Sequence, residues 1–470
     1  MSQSVSAASL VGGLATVTHD EDVRRAFARD VSGLEMVADM VARPTSIEEV
    51  QELLRAATAD RTPVTPAGAQ SSTTGASIVD HGVLLSLRGL SHIGAVDTDA
   101  RVIRVGAGAI VADVRRAAEE AGLLFTPDPT SEEESTIGGA IACNASGARS
   151  LRYGATGPHV RALTVLLANG EQLELRRPAL EKNTVGYPIA HDPVDWFVGS
   201  EGTLGVVVEA ELALYPLPPQ VLGLAVPFAN EADALAFVVA ARRAPDVHPR
   251  CLEFFDQGAM EIARSAEGAG AWAPGISAMV YVEETGADGS SEELPLDAWL
   301  ALAELHRASA EDIRVYDSVS ALNEARRMRH AVPATMNERG ATRRVFGGRK
   351  VSTDWAVPYP RLAEALTIAR RFADEAGTPR GIAYGHAGNG HPHQNIIAQD
   401  ADELARIEQV VYATLKEVIA MGGTVAAEHG IGKIKRRWLP LQASDAQQRV
   451  MRALKRELDP LGLLAPGNVL

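Results

Sequence analysis

The stretch STIGGAIACNASGARSLRYG, residues 135–154, is built mostly from glycine, alanine, serine and other small polar residues. Two more loops of similar composition, residues 66–75 and 199–205, lie in the same half of the chain. Glycine lets a backbone approach a ligand closely, and successive free N–H groups form anion-binding nests. Together the loops favour a phosphate-bearing ligand, whereas any one of them alone is explained as well by a simple turn of the chain.

Length and composition bound the class of protein. A chain of 470 residues predicts two or three domains. The formal net charge of −15 disfavours broad binding to nucleic acid or anionic lipid. Cys143 and Cys251 are the only cysteines and form no CxxC pattern, so a reducing, cytoplasmic setting is expected. The N-terminal segment lacks a signal-peptide pattern, and no apolar run is long enough for a transmembrane segment, although peripheral membrane contact stays open.

Local patterns predict both helices and strands. Ser46 and Glu49 form a capping-box pair at the start of one helix, and residues 110–122 have the period of an amphipathic helix. Asn169-Gly170 predicts a β-hairpin. Prolines at 216, 218 and 219 indicate a linker near residue 220, beyond which helical and strand-like runs alternate. This alternation predicts an α+β second domain.

The segment GAGAIV, residues 106–111, begins like a dinucleotide-binding fingerprint. Val111 stands where the third glycine belongs, and no acidic residue follows at a convincing distance for a ribose. A nicotinamide site of the Rossmann type is therefore not expected.

Four motifs together resemble those of a known family: PAGAQSSTTG (66–75), PDPTSEEESTIGGAIACNASGARSLRYGATGPHV (127–160), KNTVGY (182–187) and GSEGTLGVVVEAEL (199–212). In this order and spacing they resemble the FAD-binding domain of the vanillyl-alcohol-oxidase (PCMH) type. The second half resembles the C-terminal domain of the FAD-linked 2-hydroxy acid dehydrogenases, which include D-lactate and D-2-hydroxyglutarate dehydrogenases and the flavin subunit of glycolate oxidase.

The resemblance implies a two-domain α+β fold with a ferredoxin-like C-terminal substrate domain. An FAD-binding domain would span residues 1–220, and a substrate or cap domain would span 221–415. A C-terminal helical segment, 416–470, would complete the active site and pack back on the FAD domain.

The resemblance also implies which residues bind FAD. The pyrophosphate would be wrapped by Pro66, Gly68, Ala69, Gln70, Ser71, Ser72 and Thr73. The flavin and ribityl chain would be lined by Pro129, Thr130, Thr136, Gly138, Gly139, Asn144, Ser146 and Gly147. The adenine-side half or the ring edge would contact Gly202, Gly205 and Val206. Gln70 replaces a glycine usual in the group, and its amide can donate to a phosphate. Since no histidine lies in loops 66–75 or 135–147, noncovalent FAD is expected.

The segment GHAGNGHPHQNI, residues 385–396, places three histidines close together among glycines. If a strand begins after the glycine turn, His391, His393 and Asn395 share one face of it, and His386 can fold back towards that face. Glu428 can add a carboxylate. Two imidazoles and one carboxylate suit a divalent transition metal, whereas hydrogen-bonded turn histidines remain the alternative explanation.

The resemblance gives these residues roles. His386, His393 and Glu428 match the metal-ligand positions, Asn395 a substrate-binding asparagine, and His429 the active-site histidine that acts as general base. Arg329 and Lys350 match the substrate-binding cations. His391 stands where relatives usually have asparagine, and Pro333 where they have threonine. Zinc, manganese and iron all accept the ligand set.

The expected reaction is therefore metal-assisted oxidation of a D-2-hydroxy acid, such as D-lactate, glycolate or D-2-hydroxyglutarate, with hydride transfer to FAD. Electrons would leave to an external acceptor: a quinone, an electron-transfer flavoprotein or a cytochrome, with direct use of oxygen also open. Three alternatives remain: an ether-lipid-forming transferase similar to alkylglycerone-phosphate synthase, a flavin-free 2-His-1-carboxylate iron oxygenase, and a flavin-binding subunit that is silent without partners.

Overall fold

A computed structural model describes residues 9–267, 273, 275–286 and 294–470. The start of the N-terminal segment, for which no signal peptide is expected, lies outside the described residues. The chain divides into two compact units. The first unit comprises Met1–Ala145, Ala155–Tyr215 and His429–Leu470, and the second comprises Ser146–Gly154 and Pro216–Glu428.

The strands, in chain order, are β1 (Val17–Thr18), β2 (Met40–Ala42), β3 (Val64–Ala67), β4 (Val83–Ser86), β5 (Val102–Gly106), β6 (Leu123–Leu124), β7 (Val160–Leu166), β8 (Gln172–Arg176), β9 (Val206–Ala213), β10 (Tyr215–Pro216), β11 (Leu222–Phe228), β12 (Pro249–Phe255), β13 (Ala278–Glu284), β14 (Arg314–Tyr316), β15 (Lys350–Thr353), β16 (Ile382–Gly385) and β17 (His393–Ile397).

The α-helices are α1 (Glu21–Ala26), α2 (Ile47–Asp60), α3 (Val111–Glu120), α4 (Ile137–Cys143), α5 (Ser150–Tyr153), α6 (Val194–Phe197), α7 (Glu231–Ala241), α8 (Gln257–Glu267), α9 (Leu296–Leu305), α10 (Val319–Ala341), α11 (Leu362–Glu375), α12 (Ala401–Ala420), α13 (Leu439–Gln442) and α14 (Asp445–Leu458). No helix in the described ranges is both long and apolar enough to cross a membrane.

The first unit contains two four-stranded sheets. In one, of order β1-β2-β4-β3, strands β2, β4 and β3 run parallel. The other, of order β5-β9-β7-β8, is antiparallel. Helix α2 buries Val50, Leu53 and Leu54 in the core of the first sheet because these residues recur at helical spacing. Gly170, with φ +78°, turns the chain between β7 and β8, which confirms the predicted hairpin.

The cap of α2 differs in part from the expected capping box. The Ser46 side chain accepts a hydrogen bond from the Glu49 amide, as expected. The Glu49 carboxylate accepts instead from the amide of Thr45, at 2.6 Å, so the reciprocal half of the box is shifted by one residue. The helix start is therefore predicted correctly, whereas its second hydrogen bond is not.

The second unit is built on a seven-stranded sheet of order β14-β11-β13-β12-β16-β17-β15, in which all neighbouring strands run antiparallel. The alternation of helical and strand-like runs expected beyond residue 220 is confirmed, for example by α7, α11, α12 and β13. Residues of β12, β13, α8 and α10, such as Phe255 and Met328, share one buried core. Strands β12, β16, β17 and β15 lie side by side. The histidine-rich segment, residues 385–396, begins at the last residue of β16 and runs into β17.

Candidate active site

Four side chains of types that can bind a metal meet in the second unit: His386, His391, His393 and Glu428. One ligand atom from each can be chosen so that all of them lie within 4.8 Å of one another. We call this group the histidine–glutamate cluster. The structure therefore brings together the three predicted metal ligands and adds His391, which the resemblance did not assign to the metal.

Glycines in the β16–β17 connection produce this arrangement. His386 follows β16, a single 3-10 turn spans Ala387–Asn389, and β17 begins at His393. Gly390 has φ +70°, and a Cβ atom there would lie 1.9 Å from the carbonyl oxygen of Val357. Only glycine fits such a position without backbone movement. Since β17 begins at His393, His391 lies before the strand, and the expected strand face holds only His393 and Asn395.

His386 lies between two carboxylates. Its Nδ1 is 2.6 Å from Oε1 of Glu253, and its Nε2 is 3.2 Å from Oε1 of Glu428. Burial alone would lower the pKa of His386, but Glu253 and Glu428 outweigh it and raise this pKa to about 10. Burial raises the pKa of Glu253, but Arg329 and His386 lower it to about 2. The two residues thus form a buried charge-assisted pair.

The other two histidines are held neutral. Burial lowers the pKa of His391 well below its usual value and also lowers that of His393. The Nδ1 atom of His393 lies 3.4 Å from Oδ1 of Asp354, and its Nε2 lies 3.7 Å from Oε2 of Glu428. Nε2 of His391 is buried without a hydrogen-bond partner. His391, His393 and the ionised Glu428 are thus in the form that binds a metal, and His386 would give up its proton to a bound cation, so the donor set fits one.

Arg329 of α10 borders the cluster. Its Nε is 2.5 Å from Oε2 of Glu253, and its Nη2 is 3.4 Å from Nε2 of His386. Asn395 donates through Nδ2 to Tyr384 Oη at 2.8 Å, while its buried Oδ1 has no partner. Lys350, at the start of β15, donates to Oδ1 of Asn337 at 2.5 Å, and burial lowers its pKa.

Three glycine-rich loops come together in the first unit. A Cβ atom at Gly68 would lie 2.2 Å from Thr136 Oγ1, and one at Gly202 would lie 2.4 Å from the Pro66 ring, so the loops touch where they lack side chains. Thr136 caps α4 by accepting from the Gly139 amide. Thr73 Oγ1 and Ser135 Oγ are buried without a partner, as expected of hydroxyl groups that await a ligand.

The side chain of Gln70 holds the loop 66–75 in place. Its backbone has φ +59°, the left-handed region that the usual glycine would occupy without strain. Its side-chain Nε2 donates to the carbonyl oxygens of Phe27, at 2.8 Å, and Ser77, at 3.1 Å. The glutamine thus ties the loop to its own unit.

Asn144, Ser146 and Gly147, three predicted FAD-binding residues, have other partners. Asn144 Oδ1 accepts from the amide of Gly157 at 2.9 Å. Ser146 belongs to the second unit, where its Oγ donates to Oε1 of Glu428 at 2.6 Å, and the Gly147 amide donates to Ser150 Oγ. Ser146 therefore supports the histidine–glutamate cluster directly.

His429, the predicted base, follows Glu428 but belongs to the first unit. It has φ +68°, a strained value for a histidine, and its carbonyl oxygen lies 3.3 Å from Thr74 Oγ1. The amides of Ile431 and Gly432 then donate to the buried carboxylate of Glu201, at 2.6 and 2.7 Å. Glu201 therefore fixes the chain immediately after His429.

Sequence reasoning missed Glu201, Glu253 and Asp354. Two of these residues are single carboxylates in apolar or glycine-rich segments, CLEFF (251–255) and GSEGTLG (199–205), and this pattern could have indicated them. A buried carboxylate in such a segment needs a partner, but the sequence of the segment does not identify that partner.

The family description "FAD linked oxidases, C-terminal domain" matches residues 217–469, and "FAD binding domain" matches residues 38–176. The chain belongs to the FAD-linked oxidases, which confirms the expected α+β, PCMH-type fold, the FAD cofactor and the oxidoreductase class.

Several relatives match nearly the full length. D-lactate dehydrogenase of Anaerostipes hadrus is 31% identical, over 96% of this chain and 92% of the relative. Glycolate oxidase subunit GlcD of Bacillus subtilis is 30% identical, over 92% and 88%. D-2-hydroxyglutarate dehydrogenase of Xanthomonas citri pv. viticola is 33% identical, over 91% and 88%.

A solved structure of alkyldihydroxyacetonephosphate synthase covers 96% of this chain and 83% of its own, with a TM-score of 0.71 and 18% identity. At this identity the likeness shows the fold alone.

Proposed function

We propose that this protein oxidises a D-2-hydroxy acid to the 2-oxo acid, with FAD as the hydride acceptor and a divalent metal at the histidine–glutamate cluster. The observation that carries the proposal is the buried cluster itself, in which the neutral imidazoles of His391 and His393 and the ionised Glu428 surround His386, beside the Arg329 guanidinium. The named activities of the full-length relatives support the same substrate class.

The metal would be held by His386, His393 and Glu428. When bound, it supplies a Lewis acid for the carboxylate and hydroxyl oxygens of the substrate. Zinc, manganese and iron all suit these ligands. Arg329 and Lys350 would hold the substrate carboxylate, because a guanidinium can make two parallel charge-assisted hydrogen bonds to it. Asn395 would accept from the substrate through its unpartnered Oδ1.

His429 would take the hydroxyl proton, a general-base step that typically contributes about 10²–10⁴-fold to the rate. The FAD would be noncovalent, since the loops at 66–75 and 135–147 contain no histidine. The proposal also includes an external electron acceptor and a cytoplasmic location, in keeping with two cysteines that form no disulfide.

An anaerobic substrate panel tests this function. Purified protein is mixed with D-lactate, glycolate, D-2-hydroxyglutarate and, as a control for handedness, L-lactate, and the visible flavin band is followed. We expect bleaching with at least one of the first three acids, slower bleaching after treatment with a chelator, and recovery when metal is returned. His429→Ala should keep its flavin and lose substrate-dependent bleaching.

The panel also separates the alternatives. Flavin that dithionite reduces but none of the acids reduces would contradict the proposal and favour a transferase or a silent subunit. Protein without flavin absorption would favour the iron oxygenase.

A further inference from the structure

His391 is a buried histidine with an unused nitrogen. Its side chain is 3% exposed, and Nε2 has no hydrogen-bond partner. Buried polar atoms are almost always paired, because an unpaired one loses its hydrogen bonds to water without replacement. A buried nitrogen of this kind points to a ligand that the side chain is built to meet.

The surroundings of His391 identify the ligand as a metal. Its ring centroid lies 4.7 Å from that of His393 and 5.4 Å from that of His386. The other nitrogen of the His391 ring, Nδ1, lies 3.9 Å from Oε1 of Glu428. Ligand atoms about 2.0–2.2 Å from a zinc ion lie about 3–4 Å from one another. The four donor atoms of the cluster lie within 4.8 Å of one another, which is only slightly more than these distances between ligand atoms. A small inward movement of the side chains would therefore bring all four donors to one ion.

We infer that His391 is a fourth protein ligand, so that the metal site is formed by three imidazoles and one carboxylate. This inference rests on the proposed function and deepens it. The resemblance assigns only two histidines to the metal, and members of the family usually have asparagine at the position of His391. A third imidazole makes the site richer in nitrogen, which favours zinc, iron or copper over manganese and magnesium. It also leaves fewer coordination positions for the substrate.

Metal binding by single variants tests the inference. Wild type and three variants are compared. His391→Asn removes the inferred ligand, and His386→Asn removes a ligand that is already part of the proposed site. His81→Asn removes a histidine away from the cluster, whose side chain is 53% exposed, and serves as the negative control. Each is stripped with a chelator and titrated with Cu²⁺ against a chromophoric competitor, and the bound Cu²⁺ is examined by electron paramagnetic resonance. If His391→Asn does not fold, His391→Gln replaces it.

We expect His391→Asn to retain FAD and to bind Cu²⁺ at least tenfold more weakly, with one fewer coupled nitrogen than wild type. His386→Asn should lose affinity as well, and His81→Asn should match wild type. Unchanged affinity and spectrum in His391→Asn, with a loss in His386→Asn, would overturn the inference and leave the proposed function intact. A wild-type protein that binds no metal would overturn both.

Discussion

Glu253 joins two side chains that the sequence assigns to different tasks. One oxygen lies 2.5 Å from Nε of Arg329, and the other lies 2.6 Å from Nδ1 of His386. A carboxylate on Nδ1 fixes the ring of His386 so that Nε2 faces Glu428. Partners of this kind orient metal-binding histidines and tune their basicity. Glu253 is therefore a positioning residue for both the histidine–glutamate cluster and Arg329, the proposed substrate-binding arginine.

Glu253→Gln should destabilise the protein by about 3–5 kcal/mol, because it leaves the buried cations without their counter-ion. Chemical unfolding followed by intrinsic fluorescence measures this change. Glu364→Gln is the matched control, since Glu364 pairs with Arg361 at the surface, where an ion pair contributes little. Equal unfolding midpoints for the two variants would contradict the assigned role. The KM for the hydroxy acid should also rise in Glu253→Gln.

The sequence indicated which side chains could bind a metal, but not which buried residues pair with them. The histidines were predicted because they lie close together in the chain among glycines. Glu253 was not, because it is separated from Arg329 by 76 positions and from His386 by 133. Ser146 and Glu428 are 282 positions apart. Contacts over such distances depend on the tertiary fold, which no local pattern reports.

The β16–β17 connection is the element on which the cluster depends. Gly390→Ala should disrupt it, because the added methyl group would meet the carbonyl oxygen of Val357 and the residue would keep a positive φ. Gly377→Ala is a matched control, since Gly377 has φ +61° but open space around it. We expect Gly377→Ala to cost about 1 kcal/mol of stability. Gly390→Ala should cost clearly more and weaken metal binding at least tenfold. Equal metal affinity in the two variants would show that the turn is not required.

Elements with a strong period were predictable, and their edges were not. Helices α2 and α3 and the hairpin at Asn169-Gly170 follow from spacing and turn chemistry, which act within a few residues. The second bond of the Ser46 cap shifted to Thr45, and β17 began two residues after the expected position at His391. Both deviations arise where the chain enters a regular element, because neighbouring backbone groups compete there for the same partner.

The segment Ser146–Gly154 belongs to the second unit, although the residues before and after it belong to the first. Arg149 donates to Glu283 at 3.0 Å, and Arg250 donates to the same oxygen at 2.7 Å. Arg152 donates to the carbonyl oxygen of Gly286 at 2.6 Å. The segment is thus tied to β13 by buried charge and hydrogen bonds.

Glu283→Gln should destabilise the second unit at neutral pH by about 3–5 kcal/mol, because two buried arginines lose their shared counter-ion. Burial raises the pKa of Glu283, but Arg149 and Arg250 outweigh it and hold this pKa well below its usual range. The stability that the carboxylate contributes is therefore present above about pH 4.5 and lost as the pH falls below that value. Urea unfolding midpoints measured from pH 3 to 8 should show the difference from wild type shrinking below about pH 4.5.

Asp374→Asn removes a surface partner of Arg380 and should follow the wild-type curve throughout. A difference between Glu283→Gln and wild type that stays constant across this range would contradict the assigned ionisation.

The division of the chain has a consequence for biosynthesis. The polypeptide passes between the two units after Ala145, Gly154, Tyr215 and Glu428, so neither unit is a continuous length of chain. On the ribosome, the second unit has all its residues once Glu428 has emerged, whereas the first still needs His429–Leu470. A nascent chain stalled between these two points would contain every residue of the second unit but not every residue of the first.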